Sequence, residues 1–263
     1  MFGLIVFMHI FKKTRLLSAL LDAFVKFMHH NITAIAISSK GFESKLEPYI
    51  KKDLKFTYAP NWADDLDMDM NPIALSVTQK VHFTFAGNIG KVQNLENIIN
   101  AFCLLSDEYQ KKTQLNIIGD GSNLANLKKL SNNNPNIIFH GKQMRENMAK
   151  FYKASDFLIV SLINKPIFSA TVPAKTQTYI AAKKPILAII NGDVADIVND
   201  NNLGISVDPS NVGLIKEAFE KCIDAPENEK SEFTINNTKL LETTFNKDNI
   251  INRMTSQLID CND

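Results

Sequence analysis

From residue 81 onward, hydrophobic positions alternate between two patterns: short apolar runs, and longer segments whose apolar residues recur every three or four positions. The runs Val81 to Phe85, Gln114 to Ile118, Ile137 to His140, Phe157 to Leu162, Pro185 to Ile190 and Gly204 to Val207 read as strands. Between them lie helical stripes: Leu95, Ile98, Ile99, Phe102 and Leu105, then Leu124, Leu127 and Leu130, then Met148, Phe151 and Tyr152. Pro173 to Ala182 and a short segment through Ile197 continue the alternation, and Ser122 is placed to cap the second helix. Strands separated by helices of about 10–15 residues imply βαβ units and a parallel sheet covered on both faces. The predicted fold is α/β, a doubly wound, Rossmann-like parallel sheet.

The pattern upstream is less regular. Leu17, Leu20, Leu21, Phe24 and Met28 predict one buried helix face, followed by a strand at Ile32 to Ile37, a turn at Ser38 to Gly41 and a helix start in Phe42 to Ile50. Phe56 to Ala59 reads as a further strand, and the acidic, Met-containing stretch to Pro72 as a linker. The expected organisation is a partial second α/β domain with linker over 1–75, the doubly wound domain over 76–245, and a C-terminal helix over 246–263. The apolar run Phe2 to Phe11 is short of the roughly 20 residues that span a bilayer. Lys12, Lys13 and Arg15 follow it, the reverse of a signal peptide. It reads as an internal strand or helix, with peripheral membrane contact as the alternative.

Charge narrows the function. With 29 basic and 28 acidic residues the net charge is +1, which argues against nucleic acid as a partner. Cys103, Cys222 and Cys261 form no C-x-x-C pair, so a reducing, cytoplasmic setting is expected and no metal or redox site. Asp64, Asp65, Asp67 and Asp69 read as solvated linker residues, and Asp156 as a turn residue.

In a doubly wound sheet ligands bind at the carboxyl ends of the strands, so the loops Gly87–Lys91, Gly119–Gly121, His140–Gln143 and Ser169–Lys175 should share one rim. Gly87, Asn88, Gly90 and Lys91 could meet a phosphate, or simply make a tight turn with a solvated lysine. Gly119 and Gly121 begin a dinucleotide fingerprint that fails at Leu124, so a nicotinamide cofactor is poorly supported. Pro173 suits a first helical turn, where Lys175 runs against the helix dipole unless an anion offsets it; the alternative is a lysine reaching out to water. His140 either touches a ligand or holds structure.

Taken in order, Phe85–Lys91, Asn94–Phe102, Ile117–Gly121, Phe139–Gly141, Tyr152–Asp156 and Thr171–Lys175 through Pro185 resemble the donor domain of retaining GT-B glycosyltransferases, specifically the large family 4. Ile32–Phe42 and Ala59–Trp62 resemble the end of that family's first domain and its inter-domain connection. The wording Val172–Tyr179 resembles the N-acetyl-fucosamine transferase subgroup of O-antigen and capsule synthesis. Departures are Asn88 and Gln93 where members carry a diphosphate-binding arginine and lysine, and Ala170 and Thr178 where they carry glutamates.

The resemblance implies sugar transfer from a nucleotide-diphosphate donor, UDP-linked and N-acetylated, to a lipid-linked or oligosaccharide acceptor at the inner face of the cytoplasmic membrane, without a metal or other cofactor. It implies Lys91 and Lys175 as the catalytic, leaving-group-stabilising residues. Gly87, Asn88, Gly90, Gly119, Gly121, His140, Gly141, Ser169, Thr171, Ala174, Gln177 and Thr178 would bind the donor. It also implies that most of the acceptor domain is missing, that the helix at Ile250, Ile251, Met254 and Leu258, which in the family packs on that domain, meets an incomplete surface, and that this chain alone transfers little or no sugar. The rival expectation is a nucleotide-sugar-binding protein without catalysis.

Overall fold

The computed structural model describes residues 15–30, 32–50, 54, 56–63, 66–75 and 81–260. The apolar run at 2–11, with Lys12, Lys13, Asp64 and Asp65, lies outside them. The chain forms two compact units, one from the residues up to Pro60 together with Lys247 onward, the other from Asn61–Asn246.

The smaller unit contains α1 (Arg15–His30), β1 (Ile35–Ile37), α2 (Glu43–Leu46), β2 (Phe56–Tyr58) and α12 (Lys247–Asp260). β1 pairs in parallel with β2, Ile35 opposite Phe56 and Ile37 opposite Tyr58. Ile35, Ile37 and Leu46 form its core with Ile32, Phe42, Leu54 and Phe56 around them. The expected helix over Phe42 to Ile50 is broken into 3-10 turns around α2, the second carrying Pro48, which cannot donate a helical hydrogen bond. The expected buried face of α1 is corrected. Leu20, Phe24 and Met28 are exposed, and Val25 and His29 face inward instead, His29 Nδ1 lying 2.7 Å from Val25 O. α1 is apolar around much of its circumference, so spacing alone does not select the inward face.

The larger unit is built on β3 (Val81–Ala86), β4 (Thr113–Ile118), β5 (Ile137–Gly141), β6 (Phe157–Ser161), β7 (Ile186–Ile189) and β8 (Gly204–Val207). They form one parallel sheet in the order β5-β4-β3-β6-β7-β8. The chain therefore builds outward from β3 in one direction and from β6 in the other, and the topological switch point lies between these two strands. Strand period puts Phe83, Phe85, Leu115, Ile117, Phe157 and Ile159 on one face and Ala86, Ile118, Leu158 and Val160 on the other, all buried.

Helices α3 (Leu95–Cys103), α5 (Leu124–Leu130) and α10 (Val212–Asp224) cover the first face, where Phe219 meets Phe83 edge-on at 4.8 Å and Phe102 at 5.5 Å. Each such buried phenylalanine contributes about 1.5–3 kcal/mol. Helices α6 (Met148–Ala154), α8 (Ala174–Ala181), α9 (Asp193–Asp200) and α11 (Glu227–Thr243) cover the second. Two short helices, α4 (Asp107–Gln110) and α7 (Pro166–Ser169), complete the unit. Part of the stretch read as linker packs on the second face through Leu66, Met68 and Leu75, and Lys153 Nζ donates to Met68 O at 3.0 Å.

Ser122 is not the cap of α5. The residue before that helix is Asn123, whose side-chain amide donates instead to Glu96 Oε1 at 3.1 Å. Pro173 likewise stands one residue ahead of α8 rather than inside it. Asp156 does turn the chain: its carboxylate accepts from the His82 N–H at 2.7 Å.

Candidate functional site

The loops after β3, β4 and β5 are tied together by their own backbones. Gly87 N–H donates to Ile118 O at 3.0 Å, Ile89 N–H to Asp120 O at 2.8 Å, and Gly119 N–H to Gly141 O at 2.8 Å. This contact needs glycine. Gly119 has φ +136°, and a Cβ there would stand 1.9 Å from Gly87 O, while one on Gly121 would stand 2.5 Å from Ile89 O. Both glycines thus let two loops approach each other.

Above these loops opens a cleft of about 670 Å³. Gly87, Asn88, Asp120, Gly121, Lys142 and Gln143 give it polar walls, and Ile118, Met148 and Tyr152 an apolar floor. Met148 and Tyr152, one turn apart on α6, read in the sequence only as core residues; the same helical spacing places both beneath the cleft. The Tyr152 phenol is pushed up to about 12 by burial.

At the switch point the principal feature is Lys175, in the first turn of α8. Its Nζ lies 3.8 Å from the centroid of the Phe85 ring, and a Cβ on Gly87 would come within 3.0 Å of it. The residue as a whole is only partly buried, but the ammonium itself is out of water and has no hydrogen-bond partner. The aromatic face offers it some cation–π attraction. Burial nevertheless pushes its pKa down to about 7. Ser161 Oγ, at the end of β6, and Thr176 Oγ1 are also buried without partners.

One turn beyond Lys175, Tyr179 is fully buried, and its hydroxyl accepts from Ala86 N–H at 3.1 Å and lies 3.4 Å from Ala86 O. Lys175 and Tyr179 share a face of α8, so they meet three successive residues, Phe85 to Gly87, at the end of β3.

The other expected residues are placed variously. Asn88 is exposed on the cleft wall. The Gly90 N–H is taken by Gln93 Oε1 at 3.0 Å, and Lys91 is exposed outside the cleft lining. His140 is turned to the sheet, its Nε2 2.9 Å from Asn116 Oδ1 and its ring edge-on to Phe151; burial lowers its pKa. Because Gln114 Nε2 also donates to Asn116 Oδ1, at 2.7 Å, His140 Nε2 carries the proton. Gly141, at φ +67°, ends β5.

Ser169, Thr171 and Thr178 hydroxyls bond carbonyls one helical turn back, on Lys165, Ile167 and Ala174. Gln177 is buried with its amide end 2.9 Å from Pro173 O and 3.1 Å from Ala174 O; two carbonyls there call for the amide nitrogen as donor to both. The Ala174 and Lys175 amides, at the head of α8, have no carbonyl a turn earlier within the helix. Among the described residues no group of three or more His, Cys, Asp or Glu could hold a metal ion, and no helix is long and apolar enough to cross a membrane.

The chain is similar to several known proteins. The chain is 24% identical over 225 residues to a probable glycosyltransferase, WbjE, of Pseudomonas aeruginosa, an alignment covering 81% of this chain and 55% of that protein. It is 30% identical over 147 residues to an uncharacterized glycosyltransferase of Methanocaldococcus jannaschii, covering 55% of this chain and 36% of the relative. The chain thus spans about half the length, or less, of these curated relatives.

Among solved structures, sucrose-phosphate synthase from Thermosynechococcus elongatus superposes with a TM-score of 0.72 at 16% identity, over 92% of this chain and 62% of its own. Anabaena HepE, solved with UDP and glucose, gives 0.70 at 12% identity, over 92% of this chain and 67% of its own. These likenesses show the fold, that of GT-B glycosyltransferases. The family model for glycosyl transferases group 1 matches residues 70–240, well over half of the chain and nearly all of the larger unit. The chain belongs to the glycosyl transferases group 1 family.

Proposed function

We propose that the larger unit binds a nucleotide-diphosphate sugar at the switch-point cleft and serves as the donor half of a glycosyltransferase. The observation that carries this reading is the Lys175 ammonium, buried and unpartnered at the head of α8. Burying such a charge costs several kcal/mol, a cost that a bound diphosphate would offset. The unbonded amides of Ala174 and Lys175 and the positive end of the helix dipole favour the same anion.

In the proposed reaction an acceptor hydroxyl attacks the anomeric carbon from the face the nucleotide leaves. The bond from carbon to phosphate oxygen breaks as the new glycosidic bond forms, and the hydroxyl proton passes to the departing phosphate. Lys175 stabilises the negative charge that develops on that phosphate. Asn88 and the cleft's apolar floor orient the donor, while Lys91 would need to turn inward to take part. Retention of configuration, a UDP-linked N-acetylated deoxysugar, a lipid-linked or oligosaccharide acceptor, and peripheral membrane contact through the basic N-terminal stretch complete the proposal. UDP is favoured by the fold neighbours solved with it, among them HepE.

The test is calorimetric titration with UDP. Lys175→Ala is expected to bind about 10–100-fold more weakly than the native chain, the loss of one charged hydrogen-bonding partner. Asn201→Ala, whose amide donates only to Ile197 O one turn back, is expected to leave affinity unchanged. Equal affinity in both variants would contradict the assignment. UDP binding without transfer to any acceptor would favour a binding protein over an enzyme.

A further inference from the structure

Donor proteins need the anion-binding group and the strand end it faces to keep one spacing, and in this chain both are held by a single helix face. Lys175 Nζ stands over Phe85 and against Gly87. Tyr179, at the next turn, is bonded to the residue between them through the two backbone contacts at Ala86. The Ala86 peptide is the last of β3, and its neighbour Gly87 forms the cleft wall. Tyr152, on the cleft floor, meets the Tyr179 ring edge-on at 5.6 Å, which fixes the phenol from its other side.

A buried tyrosine usually finds one partner for its hydroxyl. Here the partner is the main chain at the switch point, where a shift of a few tenths of an ångström would carry Gly87 away from the lysine.

We infer that Tyr179 is a positioning residue for the phosphate end of the donor: its hydroxyl locks the end of β3 to α8, so that Gly87 and the Lys175 ammonium meet the diphosphate at a fixed spacing. The inference rests on the donor-site reading above. It adds that the affinity for phosphate, separately from the affinity for the nucleoside, depends on a hydroxyl that never touches the ligand.

Tyr179→Phe removes only that oxygen, and its readout is the ratio of UDP to uridine affinity, measured by titration on the whole chain. The ratio is expected to fall by about tenfold, the worth of roughly one hydrogen bond to the main chain, with uridine affinity within about twofold of native. Ile180→Val, at the adjacent buried position of the same helix, controls for lost packing and is expected to leave the ratio unchanged.

A native-like ratio in Tyr179→Phe, or an equal fall in Ile180→Val, would overturn the inference. If the native chain bound UDP no better than uridine, the donor-site reading itself would fail, which is a separate outcome. Should Tyr179→Phe not fold, the labelled native chain decides. UDP must shift the Ala86 and Gly87 amide resonances beyond what uridine does, and equal shifts overturn the inference.

Discussion

The two ends of the six-stranded sheet each carry a depression, and they treat their polar groups in opposite ways. At the amino end, a hollow of about 470 Å³ is lined by Asn132, Asn133, Asn134 and Asn136, the last two of which find partners within the chain. Asn134 and Asn136 both donate to Gln110 Oε1, at 3.3 and 3.2 Å, and the Gln110 amide donates to Phe102 O at 2.6 Å. At the carboxyl end, the loops are closed by backbone bonds from Gly87, Ile89 and Gly119, yet the Lys175 ammonium beside them is left without a partner. A polar group that finds its partner within the chain is explained by folding, whereas a buried charge that does not is a standing cost that asks for a ligand. Size would not have separated the two ends, because both hollows could admit a small molecule.

The largest expected effect breaks the carboxyl end itself. Gly119→Ala would drive a Cβ into Gly87 O and separate the β3 and β4 loops, at a cost of about 3 kcal/mol or more. The melting temperature should fall by roughly 10 °C. At the amino end, Asn133 also holds a positive φ, +55°, and Asn133→Gly should melt within a degree or two of native.

Next in size is the cost of the lysine. Its folded pKa, about 7, lies below the usual value of 10.5, so between these pH values the unfolded chain binds more protons and stability rises with pH. Below about pH 7 the penalty is present in full; above about pH 10 it vanishes. Lys175→Met should therefore stabilise the ligand-free chain at pH 7 by on the order of a few kcal/mol. Denaturant titrations of the two proteins at pH 7 and pH 9.5 should show that gap shrinking at the higher pH.

Smaller effects sharpen the contrast. Asn134→Ala should cost about 1 kcal/mol in stability through its bond to Gln110 and leave UDP affinity unchanged, since that end binds no donor. The structural account of His140 predicts that His140→Gln loses about 1 kcal/mol or less and keeps near-native UDP affinity. A large loss of affinity in either variant would blur the division between the ends.

Much of this was legible in the sequence and some could not be. The strands of the larger unit stand within a residue of where apolar runs placed them, because strands buried on both faces leave continuous hydrophobic stretches. The rim followed from topology alone. Lys175 could be named because a lysine at the head of a helix contradicts the dipole. Its burial over Phe85 could not, since that depends on the crossing of α8 with β3, which local pattern does not contain.

Gln177 illustrates the reverse. Its place in the motif suggested a ligand contact, yet its amide end lies against the carbonyls of Pro173 and Ala174 at the start of its own helix. Gly119 and Gly121 began a dinucleotide fingerprint and act as loop spacers that also line the cleft. Tyr179 closed the same motif and carried no signal beyond its four-residue separation from Lys175, the spacing that brings both to β3. In α1, apolar residues on several faces left the inward side undetermined until Val25 and His29 were placed.

The central claim is that the Lys175 ammonium exists to meet a diphosphate, and the pH dependence of UDP affinity between pH 7 and 9 tests it most directly. UDP keeps its phosphates largely ionised and its uracil ring protonated over most of this range, and the same titration of Lys175→Met subtracts what the ligand itself contributes, so the remaining slope reports the lysine. Bound phosphate should raise the lysine pKa above its free value of about 7, and native affinity should then fall with pH at a slope approaching tenfold per unit. Lys175→Met should bind weakly and with no slope. Native affinity that stays flat across the range, or a slope that survives in Lys175→Met, would contradict the account.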